Sequence, residues 1–433
     1  MSSKPLTSTY GLKSRLNVNG YAVIHDVLTK KQCERLKAGL WEHTELISRN
    51  KIKQHDPTTW HNIFNYYPMH GMILKHFGYS HIQSVWDVRQ NNNVIKSFES
   101  IWGTQKLSCS FDGVALSLAP EVTGRGWHRQ GWLHCDQNPH NSKRECYQSW
   151  VTAEDIGEGD ATLTVLEGSH LLHRQFNDTY ELPETDFLQL EEEHIEWYLS
   201  HGCTEKHITC PAGSMVLWDS RTIHAGRGPV KGRANPKNRY VVYVCMTPAS
   251  KLTGSALIKK RNALKKRRTS NHCPHKPKLT SKIPRTWGGV VPRIPRIPKP
   301  VLTLKGAKLA GWTSNPEKCP FVQKRKSKQQ RKSKQRNSKQ QSKQKTPDSS
   351  DDDPDDDIVE YRGDKYAYHP PEKNDRVNML WNLKNSKKQK FFKGTIKRVK
   401  SGTYRIRYDP GDESSDLLKL KDFPDKWNFG TEK

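Results

Sequence analysis

The sequence predicts a mainly β protein with flanking helices, in which a jelly-roll barrel is followed by a smaller second barrel. Short runs rich in β-forming residues recur between Gly, Pro and Asp, and many short strands of this kind favour a jelly roll. They lie at 161–165, 214–218 and 239–246. A second group of strand-like runs, separated by polar turns, occupies 358–425 and predicts the smaller barrel.

The first strand and the first helix are marked by local signals. Gly20 predicts a turn before a short strand at 21–24. Thr29 and Gln32 stand three residues apart, as in a capping box, and predict the start of an amphipathic helix.

The predicted domain boundaries are placed where the strand and helix patterns end. A first domain is predicted over 1–305, with a Pro-rich extension from about residue 251. No apolar periodicity is found over 306–357, so this segment is predicted to be a disordered linker. The linker is basic at 324–345, with eleven Lys and Arg, and acidic at 348–357.

Composition narrows the classes of protein. The chain has 433 residues, 33% hydrophobic content and a net charge of +28, which together indicate solvated segments beside a globular core and contact with polyanions. The alternative is that the charge only keeps a long tail solvated. The nine cysteines are scattered without a C-x-x-C pair, which argues against a disulfide framework and a zinc ribbon. No apolar run approaches about 18 residues and no secretory leader pattern is found, so a soluble, intracellular protein is expected, neither secreted nor bound to a membrane.

The stretch GWLHCDQNPH contains two metal-capable side chains, His134 and Asp136, two positions apart. On a strand such residues share one face. A third ligand is predicted at His224, which follows an apolar strand in WDSRTIHAGRGP. Two histidines and one carboxylate on one face of a metal, with positions left open, form the pattern of non-heme Fe(II) oxygenases.

A basic residue in the right place supports this interpretation. Arg239 opens the strand after His224, where a guanidinium can pair bidentately with the terminal carboxylate of a small dicarboxylic acid. These motifs also follow a defined order along the chain: H-x-D, a strand, EGSH at 167–170, the strand with His224, then Arg239. This order is more specific for an iron oxygenase than any one of the motifs.

Residues 15–250 resemble the phytanoyl-CoA dioxygenase (PhyH-like) family of Fe(II)/2-oxoglutarate oxygenases. The motifs that carry the resemblance are NGYAVIHDVLT, WLHCDQ, DATLTVLEGSHLLH and DSRTIHAGRGP followed by Arg239. The resemblance implies a double-stranded β-helix, with His134, Asp136 and His224 as iron ligands.

The resemblance also implies the cosubstrates, 2-oxoglutarate and O2, and ascorbate is kept open as an additional reductant. Arg239 would bind the C5 carboxylate of 2-oxoglutarate, with Arg233 as a rival because the spacing from His224 to Arg239 is long for the family. Gln148, on the strand after the iron motif, either contacts 2-oxoglutarate or faces solvent. Cys135 is expected to pack away from the metal, with a redox role as the alternative, and Trp132 and Trp218 are expected in the core or the pocket wall.

Residues 373–420 resemble a Tudor-like domain, an SH3-like barrel, through DRVNMLW, FFKGTI and YDPGD. The resemblance implies an aromatic cage that binds a methylated lysine or arginine by cation–π attraction. The matching positions are Trp381, Phe392 and Tyr408, with Asp409 or Asp412 as an acidic wall. Two alternatives stay open: the aromatics form the barrel core, or the lysines of this module bind nucleic acid.

The sequence thus predicts a hydroxylase that uses Fe(II), O2 and 2-oxoglutarate, acting on an unidentified substrate. Its basic segment predicts a nuclear location and binding to nucleic acid or chromatin, and its Tudor-like module predicts binding to a methylated histone-like peptide. The alternative is a non-catalytic chromatin or nucleic-acid binding protein with a degenerate oxygenase core. The sequence leaves the oligomeric state open.

Overall fold

The computed structural model describes residues 6–68, 73–125 and 132–323 with their side chains, and beyond residue 357 the backbone of the strands alone. The chain divides into two compact units. The first holds residues 1–280 and 284–325, and the second holds 281–283 and 326–433.

The helices of the first unit surround its sheets. The α-helices are α1 (Leu12–Asn19), α2 (Lys30–Ile47), α3 (Gln83–Arg89), α4 (Asn92–Trp102), α5 (Pro120–Thr123), α6 (His173–Tyr180), α7 (Glu192–Ser200), α8 (Gly254–Lys265) and α9 (Leu304–Leu309). Short 3-10 helices lie at Pro57–Asn65, Tyr79–His81, Ser169–Leu171, Ala249–Lys251 and Pro316–Lys318. Among the described residues, none of the helices is both long and apolar enough to span a bilayer.

The strands of the first unit are short, as the sequence predicts. They are β1 (Tyr21–Ile24), β2 (Leu107–Cys109), β3 (Val114–Ser117), β4 (His134–Cys135), β5 (Tyr147–Thr152), β6 (Thr162–Glu167), β7 (Leu188–Gln189), β8 (Thr204–His207), β9 (Met215–Asp219), β10 (His224–Arg227), β11 (Arg239–Tyr243) and β12 (Met246–Pro248). The predicted strand at 239–246 is divided between β11 and β12, and the other predicted strands agree within two residues.

Ten of these strands form two five-stranded sheets. The first has the order β1-β9-β5-β11-β3 and the second the order β7-β4-β10-β6-β8, while β2 pairs with β12 separately. The pairs within both sheets are antiparallel. Residues of both sheets, such as Trp150 on β5 and Val165 on β6, share one buried apolar cluster, so the sheets pack face to face. This arrangement confirms the predicted mainly β, jelly-roll-like core.

Strand alternation decides which side chains enter the space between the sheets. On β5, Trp150 belongs to the cluster between the sheets, whereas Tyr147 and Val151 belong to the large cluster on the other face. Since successive strand residues point to opposite faces, Gln148 lies on the same inner face as Trp150. By the same alternation Arg239 shares the inner face with Val241 on β11.

Helices cover the outer faces of both sheets. The outer face of the first sheet packs against the apolar faces of α1 to α4 and against residues of α8 and α9. The capping box that begins α2 is present, with Thr29 accepting from the Gln32 backbone and Gln32 accepting from the Thr29 backbone. The outer face of the second sheet packs against α6 and α7 through residues such as Phe176 and Tyr198.

The extension that follows β12 is part of the first unit, and it continues further than predicted. The linker was expected to begin at 306, but 306–323 contains most of α9 and packs into the large core. Trp312 and Phe321 are both buried, and the Leu302 backbone donates to the Phe321 carbonyl. The predicted start of the linker is therefore wrong. The apolar residues of 306–323 have no regular spacing in the sequence, but they are nevertheless buried in the core. The basic segment 324–345 and the acidic segment 348–357 lie outside the described residues.

The described residues of the second unit form the strands β13 (Ile358–Tyr361), β14 (Asp364–Ala367), β15 (Arg376–Asn382), β16 (Gln389–Lys400), β17 (Thr403–Tyr408), β18 (Leu417–Lys419) and β19 (Trp427–Phe429). Five of them form an antiparallel sheet in the order β18-β17-β16-β15-β19. The register shifts between Ile396 and Arg398 of β16. The Tudor-like assignment of this unit stays a prediction.

Candidate metal centre

His134 and His224 meet where β4 pairs with β10. The two residues are register partners across this antiparallel pair, and their ring centroids are 4.3 Å apart. Asp136 lies between them, with Oδ1 3.6 Å from His134 Nε2 and Oδ2 3.5 Å from His224 Nε2. Among the described residues, these three offer ligand atoms that all lie within 4.8 Å of one another, an arrangement that could hold a metal ion.

The backbone fixes which nitrogen of each imidazole faces this centre. His134 Nδ1 is 3.0 Å from the Trp132 carbonyl, and His224 Nδ1 is 2.9 Å from the Thr222 carbonyl. Because a carbonyl only accepts, each Nδ1 carries the proton and donates it, which leaves the Nε2 lone pair free for a metal. Burial and the neighbouring His224 lower the pKa of His134 to about 4, so its ring is neutral near pH 7.

Asp136 is held by groups from three directions. Gln148 Nε2 donates to its Oδ2 at 3.1 Å, and His272 Nδ1 lies 3.6 Å from the same oxygen. Although burial alone would raise the pKa of Asp136, the imidazoles of His272, His224 and His134 hold it well below its usual range. The carboxylate is therefore ionised, as a metal ligand must be.

The turn before β10 is built to place His224. Asp219, which is fully buried, binds Arg221 at 2.9 Å and also pairs with Arg144. Although burial would raise the pKa of Asp219, these two guanidinium groups lower it. Thr222 Oγ1 donates to the Gly20 carbonyl, so the turn is tied to the start of β1.

Two sequence motifs act as supports for this turn. Gly20 has a φ of 81°, and a Cβ there would lie 2.6 Å from His170 Nδ1, so glycine is required. In the EGSH motif, Ser169 Oγ accepts from the Ile223 backbone, next to His224. His170 itself contacts the Asn17 carbonyl at 3.0 Å and is not near the candidate ligands in any described contact.

Cys135, between the two ligands of the H-x-D motif, points to the other face of β4. It belongs to the apolar cluster under α6 and α7, and it donates weakly to the Ser220 carbonyl. Burial raises its pKa to about 12, so the thiolate that redox chemistry needs is disfavoured. The packing role expected for Cys135 is confirmed.

Arg239 is a buried cation with unused donors. Its side chain is on the inner face of β11, 6% exposed, with the guanidinium 5.8 Å from the centroid of the Trp150 ring. Within the described part of the chain, Arg239 Nε and Nη1 have no hydrogen-bond partner, and neither have the indole N–H groups of Trp150 and Trp218. Buried N–H donors without acceptors are costly, so these donors fit an anionic, oxygen-rich ligand between the sheets.

Arg233, the rival of Arg239, is already engaged. It donates to both carboxylate oxygens of Glu121 at 2.8 Å and to Asp160 at 2.6 Å. Hydrogen bonding to Glu121 raises the pKa of Arg233 and lowers that of Glu121. The structure thus gives Arg233 a bridging role between α5 and the loop before β6, while its assignment as a cosubstrate ligand loses support.

The sequence alone missed two features of the site. His272 comes from the extension after α8, far from any recognised motif, and only the tertiary fold brings it to Asp136. Trp132 was expected in the core or pocket wall, but it is 49% exposed, with its ring 4.5 Å from that of His134 and 6.1 Å from that of Phe187. Trp218 is a wall residue, buried 5.4 Å from the His224 ring.

The remaining candidate residues belong to the C-terminal unit. Trp381 is on β15, Phe392 on β16 opposite Met379, and Tyr408 ends β17. Their side chains, and Asp409 and Asp412, lie outside the described residues, so the cage stays a prediction.

Two histidines and one carboxylate on one side of a metal, as His134, Asp136 and His224 are arranged, are the pattern of non-heme iron oxygenases. Residues 16–230 match the model of the phytanoyl-CoA dioxygenase (PhyH) family. Residues 16–230, which belong to the first unit, are therefore similar to the PhyH family. Arg239 and His272 both lie beyond the matched residues.

One curated protein is similar in sequence to about half of this chain. The "Ava biosynthesis cluster protein O" of Aspergillus versicolor is 29% identical to this chain over 210 residues. The match covers 46% of this chain and 66% of the relative, which is just under two thirds of the relative's length.

Solved structures show weak overall similarity to the chain. The epimerase SnoN in complex with Fe3+, alpha ketoglutarate and nogalamycin RO is 13% identical, with 56% of this chain and 84% of SnoN covered and a TM-score of 0.35. AviO1 from Streptomyces viridochromogenes Tue57 is 14% identical, with 57% and 98% covered and a TM-score of 0.36. GIG2 from Candida albicans is 15% identical, with 60% and 70% covered and a TM-score of 0.40.

Proposed function

We propose that the first unit is an Fe(II)- and 2-oxoglutarate-dependent dioxygenase that hydroxylates a C–H bond of its substrate. The observation that carries the proposal is the cluster of His134, Asp136 and His224, whose ligand atoms lie within 4.8 Å of one another. The free Nε2 atoms and the ionised carboxylate fit a divalent iron ion, and the three ligands on one side leave positions for other ligands. The match to the PhyH family supports the same class of reaction.

The donor set on the inner face of the first sheet fits the cosubstrate. The unpartnered guanidinium atoms of Arg239 would bind the terminal carboxylate of 2-oxoglutarate, and the indole N–H groups of Trp150 and Trp218 are further donors there. Gln148 donates to Asp136, so its role is to orient that ligand, and contact with 2-oxoglutarate through its amide oxygen stays a prediction.

Iron, when bound, supplies the activation of O2, and 2-oxoglutarate supplies two electrons as it is converted to succinate and CO2. One oxygen atom enters succinate and the other enters the substrate, so the overall reaction balances as R–H, O2 and 2-oxoglutarate giving R–OH, succinate and CO2. The protein holds the ligands in place, through the backbone contacts of His134 and His224, and binds the cosubstrate anion with Arg239.

The solvent-facing edge of the centre would receive the substrate. Trp132 and Phe187 are both about half exposed. Trp132 lies next to His134 and Phe187 lies next to Trp132, whereas His224 is buried against Trp218. The aromatic pair offers an apolar surface that a substrate can cover.

Conversion of 2-oxoglutarate to succinate by the purified chain tests the proposal. With Fe(II) and O2 the wild-type protein should produce succinate, and His134→Ala should abolish it because one of three ligands is lost. His25→Ala is the matched control, since His25 lies outside the centre and its loss should leave the rate unchanged. Succinate production by His134→Ala at the wild-type rate would refute the site, and a wild-type chain that binds no Fe(II) would favour the non-catalytic alternative.

We further propose that residues 324–433 direct this activity to nucleic acid or chromatin in the nucleus. The support is the run of eleven Lys and Arg over 324–345, in a chain with a net charge of +28. Binding of a methylated histone-like peptide by the Tudor-like module is the second part. Replacement of Trp381 or Tyr408 by alanine should abolish such binding at constant salt, and unchanged affinity in both variants would rule out the cage.

A further inference from the structure

The extension that follows the barrel places one of its side chains on the candidate metal centre. His272 Nδ1 lies 3.6 Å from Asp136 Oδ2, although the two residues are far apart in the sequence. His272 also lies beyond residues 16–230, which match the PhyH family. The contact therefore joins the centre to a part of the chain outside the matched region.

His272 is carried by a hairpin, residues 269–280, which has its own hydrogen bonds. Ser270 and Leu279 form an antiparallel bridge, the Asn271 backbone donates to the Lys278 carbonyl, and the Thr280 backbone donates to the Thr269 carbonyl. The side-chain oxygen of Asn271 accepts from the Lys278 backbone. These bonds hold the residues on both sides of His272 in a defined conformation.

The hairpin is anchored to the barrel on two sides. Ser270 exchanges hydrogen bonds with Phe111, since its backbone donates to the Phe111 carbonyl and its hydroxyl accepts from the Phe111 backbone. On the other side Lys276 pairs with Glu145, and Lys278 pairs with Asp186. His272 is thus held against Asp136 by the hairpin and does not reach it as a free surface side chain.

His272 contacts the carboxylate from outside the ligand group. The ligand atoms that lie within 4.8 Å of one another, among the described residues, are those of His134, Asp136 and His224. His272 shares Oδ2 of Asp136 with the Gln148 amide, and its own side chain is 25% exposed. At 3.6 Å the contact is longer than a direct hydrogen bond, so it acts electrostatically or through a bridging water.

We propose that His272 is a positioning residue for the metal centre, which acts with Gln148 to orient the Asp136 carboxylate through Oδ2. This inference rests on the proposed function, because it assumes that Asp136 is a metal ligand. Groups that orient a ligating carboxylate typically change metal affinity by about 10- to 100-fold when they are removed. The extension that follows the barrel then contributes a residue to the metal centre in addition to packing against the barrel.

Titration of the full-length metal-free protein with Co2+ tests the inference, with the Co2+ absorption spectrum as a readout that does not depend on turnover. His272→Ala should weaken Co2+ binding by about tenfold or more and change the spectrum, since the carboxylate loses one of its partners. His272→Asn should recover most of the affinity, because its side-chain amide can place a nitrogen near the position of Nδ1. His275→Ala is the matched control: His275 is on the same hairpin and contacts the Cys273 thiol, and its loss should leave the titration unchanged.

The outcomes separate this inference from the proposed function. A wild-type protein that does not bind Co2+ would overturn both. Wild-type binding together with an unchanged affinity and spectrum for His272→Ala would overturn the role of His272 alone. Equal losses in His272→Ala, His272→Asn and His275→Ala would show that the hairpin is simply disrupted, and would also overturn it.

Discussion

His134 and His224 are register partners on neighbouring antiparallel strands, with their ring centroids 4.3 Å apart. Their relative position is therefore set by strand pairing, which holds side chains more rigidly than loops do. Each ring is also fixed by a hydrogen bond from Nδ1 to a backbone carbonyl two residues earlier. The centre is thus prepared for a metal by the backbone itself.

Loss of Arg239 and loss of Arg233 should have different effects. Arg239→Ala removes the buried guanidinium whose Nε and Nη1 lack partners. The concentration of 2-oxoglutarate needed for half-maximal turnover should therefore rise about 30-fold, which corresponds to about 2 kcal/mol for a charge-assisted contact. Arg233→Ala leaves Glu121 and Asp160 without their partner, so it should lower the melting temperature and leave the 2-oxoglutarate requirement nearly unchanged. A strong rise in that requirement for Arg233→Ala, without one for Arg239→Ala, would reverse the assignment.

The stability of the first unit should fall in mild acid because of His43. Burial lowers the pKa of His43 to about 4, below the ordinary value of 6.5. The unfolded chain therefore binds the proton more readily, so stability is lost as the pH falls from about 6.5 to about 4. His43 alone should account for about 3 kcal/mol between pH 7 and pH 4.

Urea unfolding at several pH values measures this effect. His43→Gln should be less stable at pH 7, since it loses the edge contact with the Tyr79 ring, but its stability should depend less on pH. His61→Gln, at an exposed position in the same part of the chain, is the control and should keep the wild-type slope. An identical slope in His43→Gln would show that other groups control the acid sensitivity.

The position of a truncation should decide whether the first unit stays folded. A chain that ends after residue 325 keeps the buried Trp312 and Phe321, whereas a chain that ends after residue 305 loses both. Removal of a buried aromatic side chain costs about 3–5 kcal/mol, so the shorter chain should melt at a much lower temperature or aggregate. Thermal melting of both chains measures the difference, and equal melting temperatures would contradict the observed packing of 306–323.

Binding to nucleic acid should depend on the segment beyond residue 325 and on salt. The full chain should bind duplex DNA with an affinity that falls steeply as salt rises, because Lys and Arg release counterions from the phosphates. The chain that ends after residue 325 should lose most of this affinity and keep 2-oxoglutarate turnover. Fluorescence anisotropy at several salt concentrations measures both chains. Equal affinities throughout would leave the basic segment as a solubilising spacer.

The sequence by itself determined the parts of the protein whose signals are local. The capping box at Thr29 and Gln32, the short strands and the H-x-D motif each depend on neighbours within a few residues, and the structure has them where the pattern predicts. The alternation of strand side chains also separated His134 from Cys135 correctly, since only the side chains two apart can share a face.

Only the tertiary structure decided the features that join distant segments. Arg233 forms ion pairs with Glu121 and Asp160, the packing of Trp312 and Phe321 moves the domain boundary, and the hairpin at 269–280 brings His272 to Asp136. None of these contacts corresponds to a periodic pattern or a local motif in the sequence. The physical reason is that burial of apolar surface and pairing of charges stabilise the folded state for any compatible residues that the fold brings together, whatever their distance along the chain.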